Sequence, residues 1–132
     1  MEPLPIITLG VTALFVLLNL PMSVAVGVRR SKTGILLLHG EDDRLLRLIR
    51  AHGNFTEYVP LALLALAGAE ILGSPTWLVA LCGGLLLLGR VTHYLALQTA
   101  ADSPGRPVGA LMTNAAMLVL ALAILWQLSA LV

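Results

Sequence analysis

Apolar residues run along this chain in four long blocks separated by short polar or turn-forming segments. Residues 3–28 carry no charged side chain, and "LALLALAGAEIL" (61–72), "WLVALCGGLLLLG" (77–89) and the stretch from Val108 onward are nearly as apolar. A helix needs about 20 residues to cross the roughly 30 Å of bilayer hydrocarbon. The pattern therefore predicts four spans, at about 5–28, 42–72, 76–101 and 108–131. The second has a polar first half and an apolar second half. "GSPT" (73–76) reads as a tight turn, with Gly73 suited to end one helix, Ser74 to cap the next and Pro75 to its first position. "DSPGRP" (102–107) reads as a second turn. Short connections force neighbouring helices to run antiparallel. The expected fold class is an all-α integral membrane protein, an antiparallel four-helix bundle forming one domain over 1–132.

Composition agrees. The chain is 58% hydrophobic and 11% charged, where a soluble domain carries about 25% charged residues. The first block is longer than the roughly 7–15-residue core of a signal peptide and follows Glu2 rather than a basic cluster, so it is expected to stay as a span, with the mature chain starting near Met1. A net charge of +1 argues against a broad nucleic-acid-binding face. The lone Cys82 excludes an internal disulfide and a multi-cysteine metal site, and reads as a small apolar filler. His39, His52 and His93 are not at ligand spacing, so no metal is expected.

Charge also orients the chain. Arg29, Arg30, Lys32, Arg44 and Arg47 flank the first connection and Arg106 lies in the third, whereas the second has no basic residue. Basic connections stay in the cytoplasm, which puts both termini outside it. Trp77 and Trp126 read as interfacial anchors, and Glu70, near the outer end of its span, as a side chain snorkelling to the interface.

One segment contradicts the apolar pattern. "RLIRAHGNFTEYVP" (47–60) sets two arginines, a histidine, an asparagine, a glutamate and a tyrosine where a span begins. Residues three, four and seven apart share a helix face. Arg50, Asn54 and Glu57 obey that spacing, Arg47 and Leu61 extend the stripe, Tyr58 sits beside it, and His52 points elsewhere. At 1.5 Å per residue Asn54 lies about 18 Å along the second span from Asp42. Arg90 lies about 16 Å from the same side on the antiparallel third span, with His93 one turn nearer the cytoplasm. Arg50 and Arg90 are thus expected to meet Glu57 at one depth, near Asn54 and His93. A salt-bridge cluster that merely ties helices together would need only Arg90 and Glu57. Three cations (Arg47, Arg50, Arg90) around one acid leave a surplus that water or an anionic ligand must offset.

"RAHGNFTEYVP" resembles the second-helix signature of the MAPEG family, the membrane-associated proteins in eicosanoid and glutathione metabolism, roughly R-A-x-x-N-x-x-E-x-x-P. "GRVTHY" (89–94) is similar to the third-helix segment of the family's prostaglandin E synthase branch, and Arg106 falls where that branch has an arginine at the start of its fourth helix. The likeness covers nearly the whole chain and is nearest to short bacterial members of unassigned function. It implies a bacterial inner-membrane protein, a homotrimer, and glutathione as co-substrate, bound between subunits near the cytoplasmic side. Carried over by position, Arg50, Asn54, Glu57, Tyr58 and His93 would contact the tripeptide, Arg90 would join them, and Arg29 or Arg30 would match the first-helix arginine. Arg106 would stabilise the thiolate. The chemistry is coherent: arginine forks suit carboxylates, a buried glutamate suits an ammonium, and a guanidinium beside sulfur favours the nucleophilic thiolate.

The sequence also departs from the family. Gly53 stands where the prostaglandin branch has an arginine, Leu97 and Ala110 where family enzymes often have tyrosines, and Pro107 where a serine would flank Arg106. The expected function is a glutathione-binding membrane protein, a transferase or peroxidase acting on a lipophilic second substrate. The alternative is a non-catalytic lipid- or partner-binding protein of the same fold. A proton-coupled drug carrier would need an acid deep in the first span, which has none.

Overall fold

The computed structural model describes residues 4–99 and 103–131. Glu2, the Ala101 end of the expected third span and Asp102 of the second turn lie outside them. Four helices form, α1 Ile6–Thr33, α2 Asp43–Ile71, α3 Thr76–Thr99 and α4 Gly105–Ser129. Even the shortest, with 24 residues, is about 36 Å long. α1, α3 and α4 are apolar enough to cross a membrane, whereas the polar first half of α2 keeps it out of that class although it is the longest helix. This is the expected four-helix membrane bundle.

Contacts at both ends of the α1–α2 pair fix its antiparallel sense. At one end Arg29 Nη2 pairs with Asp42 Oδ2 at 2.7 Å, and at the other Glu70 reaches the start of α1. α1 packs chiefly on α2, α4 on α3 and α2, and among the described residues α1 and α4 do not meet. α2 and α3 therefore form the middle of the bundle. Phe15, Phe55, Leu66, Leu86, Val79 and Leu120 fill the core, with the rings of Phe15 and Phe55 edge to face at 5.5 Å. Leucines such as Leu9, Leu64, Leu111 and Leu122 cover the outer surface, as a lipid-facing exterior requires.

The tightest approach joins α3 to α4. A methyl placed on Gly109 would lie 2.5 Å from the Gly89 carbonyl oxygen and 2.7 Å from the His93 nitrogen. Backbone meets backbone there because neither glycine has a side chain. Without a hydrophobic force between helices in lipid, such close packing is a main source of association. At Gly83 an added methyl would meet Val11, while Gly84 faces open space and Ala115 is exposed.

The helix ends correct two expectations. Glu70 does not snorkel: its Oε1 accepts from Ile7 N at 2.9 Å, and its Oε2 from Thr8 N at 2.8 Å and Thr8 Oγ1 at 2.7 Å. It is a carboxylate cap, supplied by α2, for the exposed donors and positive dipole end of α1. Ser74 does not cap α3, since its buried hydroxyl makes no hydrogen bond. Asp42 caps α2 by accepting from Leu45 N at 2.8 Å. Gly34, at φ 70°, ends α1 in the left-handed conformation that glycine adopts without strain.

Candidate functional site

Arg90 organises the polar interior. Its side chain is 3% exposed and reaches two of the other helices, α2 and α4. Nη1 donates to Asn54 Oδ1 of α2 at 2.8 Å, Nε to Thr113 Oγ1 of α4 at 2.9 Å, and Nη2 to the Gly109 carbonyl at 3.3 Å. The guanidinium also lies 5.1 Å from the centre of the Tyr58 ring, a cation–π distance. The Gly89–Gly109 contact makes this possible by bringing α4 within reach of the arginine fork.

One turn on, His93 is 8% exposed and its Nδ1 lies 3.0 Å from the backbone oxygen of Arg106. A carbonyl can only accept, so Nδ1 is the donor, and in a neutral ring Nε2 is then an acceptor. Asn54 is half-buried, and its oxygen, held by Arg90, leaves the amide's two N–H donors for a ligand. Arg106 is half-buried at the second residue of α4. The structure thus gathers Asn54, Tyr58, Arg90, His93 and the backbone of Arg106 from three helices.

Arg50 and Glu57 lie elsewhere. The buried positions of α2 are Leu45, Leu48, Ala51, Phe55, Val59, Ala62, Leu66 and Ala69, which trace one face. Arg50 and Glu57 are exposed on another, in line with exposed Leu61 and Leu64. The expected meeting of Arg50 and Arg90 with Glu57 therefore does not occur within the chain. Arg90 is satisfied by neutral oxygens and a ring instead. The cause is angular: a stripe one residue wide cannot face both α3 and the outside, and the residues that pack on α3 turn Arg50 and Glu57 away. Among the described residues the ion pair that forms is Arg29–Asp42.

Arg29 and Arg30 sit at the α1–α2 corner. Arg30 Nη1 gathers the carbonyls of Ile35, Leu36 and Leu38 at 3.1, 2.9 and 3.0 Å. His52 points to α1, its Nε2 lying 3.1 Å from Asn19 Oδ1. The residues that take the expected tyrosine positions stay apolar, with Leu97 buried and Ala110 half-buried. Gly53 has open space where a side chain would go.

Behind Arg90 a chamber of about 240 Å³ opens between α1 and α3, walled by Leu18, Pro21, Met22, Phe55, Val91, Tyr94 and Leu95. An apolar groove of about 190 Å³ runs between α1 and α2, on the other side of Phe55. Sequence reading had missed Thr113 and Gly109, although small residues recur every four positions at Gly105, Gly109 and Thr113, the spacing that lets membrane helices approach.

The sequence profile of the MAPEG family matches residues 8–126, almost the full length. The chain belongs to the MAPEG family. Its similarity to inner membrane protein YecN of Escherichia coli strain K12 is 34% identity over 120 residues, covering 88% of this chain and 91% of that one. The YecN protein of E. coli O6:H1 strain CFT073 is similar to the same extent. This MAPEG protein is accordingly a multi-pass membrane protein of the inner-membrane type, and the Asn54–Arg90 pair joins its second and third helices.

Proposed function

We propose that this MAPEG protein binds glutathione between copies of itself in a homotrimer and activates the thiol for attack on a lipophilic electrophile. The observation that carries the reading is the exposed position of Arg50 and Glu57 on α2, one turn from Asn54. Two ionisable groups on the outer face of a membrane helix need a partner surface and a counter-charge, because hydrocarbon solvates neither. A second copy supplies the surface. Glutathione, with two carboxylates and an ammonium, supplies both signs of charge.

Each residue then has a role. Arg50 takes a carboxylate through its planar fork. Glu57 takes the ammonium. Asn54, held from behind by Arg90, offers its amide donors, and Tyr58 and His93 line the same level. Arg106 stabilises the thiolate, where lowering a thiol pKa of about 8.5 by one or two units requires about 1.36 kcal/mol per unit. The thiolate attacks the electrophilic carbon and forms a C–S bond, the electron pair going to the leaving group or the opened π bond. The α1–α3 chamber is apolar enough to hold the lipophilic partner.

Titration of the purified protein with glutathione, together with thiolate absorbance and conjugation of an aromatic electrophile, tests the reading. Binding, a thiolate signal above the detergent blank and its loss in Arg106→Ala are expected. Absence of binding, or a monomer by mass in mild detergent, rejects it. The buried Leu97 favours a second reading, a non-catalytic lipid binder, for which lipids stabilise the protein, glutathione does not, and no conjugate forms.

A further inference from the structure

Lys32 and Arg44 have no part in the glutathione reading, yet the structure places them together. A cavity of about 170 Å³ lies between the end of α1 and the start of α2, walled by Ala25, Val28, Arg29, Lys32, Arg44 and Leu48. Lys32 and Arg44 are exposed and make no ion pair among the described residues, where Asp42 pairs with Arg29. Arg29 Nε is buried without a hydrogen-bond partner. The slot's own wall thus carries three cations and no carboxylate beside apolar Ala25, Val28 and Leu48, while Glu41, Asp42 and Asp43 line the neighbouring opening next to Arg29 and Arg44. That combination suits neither a soluble anion, which needs no apolar slot, nor a zwitterionic headgroup, which brings its own cation to the mouth.

The adjoining loop sits at the same level. Leu36, Leu37 and Leu38 are 79%, 84% and 80% exposed. They are not a floppy tail, because Arg30 draws the carbonyls of Ile35, Leu36 and Leu38 onto one nitrogen. Leu38 is held at φ 54°, a conformation uncommon for a residue with a side chain. With the polar backbone turned onto Arg30, the loop presents three leucines where two membrane helices end. The boundary between acyl chains and headgroups is the environment that accepts them.

We propose that this corner is a binding site for anionic phospholipid. The phosphate sits among Arg29, Lys32 and Arg44, an acyl chain enters the slot along Ala25, Val28 and Leu48, and the leucine loop seats in the same leaflet. Basic pockets between membrane helices are a recurrent way to hold such headgroups.

The test compares the full chain in bilayers of phosphatidylcholine alone and of phosphatidylcholine with about 20% phosphatidylglycerol, reading retained lipid by native mass spectrometry and thermal stability alongside. Wild type should retain phosphatidylglycerol in preference to phosphatidylcholine. The Lys32→Gln/Arg44→Gln variant, altered at two exposed positions and expected to fold normally, should lose that preference by about tenfold. Equal retention of the two lipids, or an unchanged preference in the variant, overturns the proposal. Glycerol phosphate alone should not stabilise the protein. Stabilisation equal to that by phosphatidylglycerol would assign the pocket to a soluble phosphate ester and overturn the lipid assignment. Because neither substitution touches Asn54, Glu57 or Arg106, glutathione titration of the same variant separates failure of this site from failure of the thiol site.

Discussion

The seam between α3 and α4 and the outward face of α2 handle charge in opposite ways. In the seam a cation lies deep in the chain, and three oxygens and a ring from two other helices surround it. On the face of α2, Arg50 and Glu57 are exposed with no ion pair among the described residues. The seam is complete within one chain, so substitutions there should act on folding. On the proposed function the α2 face is completed by a second copy and glutathione, so substitutions there should act on assembly and ligand binding. This division separates residues that shape the site from residues that would meet the ligand.

Gly109→Val gives the severest challenge to the seam. Its side chain would collide with the Gly89 carbonyl and the His93 nitrogen, both backbone atoms that cannot move aside without parting the helices. A loss exceeding about 3 kcal/mol is expected, seen as failure to fold or a collapse of thermal stability in detergent. Gly84→Ala, at a position with open space, should stay within about 0.5 kcal/mol. Equal effects at the two sites would remove the claim that backbone contact holds α3 to α4.

Arg90→Met comes next. It removes the charge but strips the hydrogen-bond donors from Asn54 and Gly109, while Thr113 keeps its own bond to the Gly109 carbonyl at 3.0 Å. A loss of about 1–3 kcal/mol is expected, with Arg90→Lys recovering only part of it because an ammonium cannot span the three acceptors as a planar fork does. Chemical unfolding in a fixed detergent measures both. A neutral Arg90→Met would mean that burying the cation costs as much as its bonds return.

The contrast explains what could be read from the sequence. Three of the helices followed from largely uncharged runs long enough to cross a bilayer, and α2 from an apolar second half extended by a helical polar stripe. The matched depth of Asn54 and Arg90 followed from counting residues on two antiparallel helices, and the two side chains are hydrogen-bonded. Periodicity went wrong for Glu57 and Arg50 because it places residues on a face of α2 without saying which face meets α3. Glu70 was misread for a different reason: its partners Ile7 and Thr8 are more than 60 residues away, and no local pattern announces a cap supplied by another helix. The glycine seam was legible in principle at Gly105, Gly109 and Thr113, but their partners, Ala96 for the first and Gly89 for the other two, are fixed only by how α3 and α4 slide against each other.

On the other side of the comparison, Arg50→Gln and Glu57→Gln should change unfolding of the isolated chain by no more than about 0.5 kcal/mol, since neither side chain makes an ion pair. Their effect should appear in glutathione titration, as weakening by about tenfold or more from loss of a charge-assisted bond. A stability loss matching that of Arg90→Met would show that the α2 face is structural, and would dissolve the division.

The smallest expected effect lies at Asp42 in the α1–α2 corner, a carboxylate already paired within the chain. The Leu45 backbone N–H, ahead of Arg29, holds the Asp42 carboxyl below its ordinary value against the opposing effect of burial. A depressed carboxylate contributes stability that is complete above the unfolded-state pKa and disappears as pH falls through the lower, folded-state value. Asparagine caps a helix about as well as aspartate, so Asp42→Asn removes the charge and its pairing with Arg29 while keeping the cap. Thermal unfolding from neutral to acid pH should therefore show wild type ahead of the variant at neutrality and level with it in acid. A gap that stays constant with pH would assign the difference to shape alone, and the Arg29–Asp42 pair would then join Arg50 and Glu57 as charge that does nothing for the fold of a single chain.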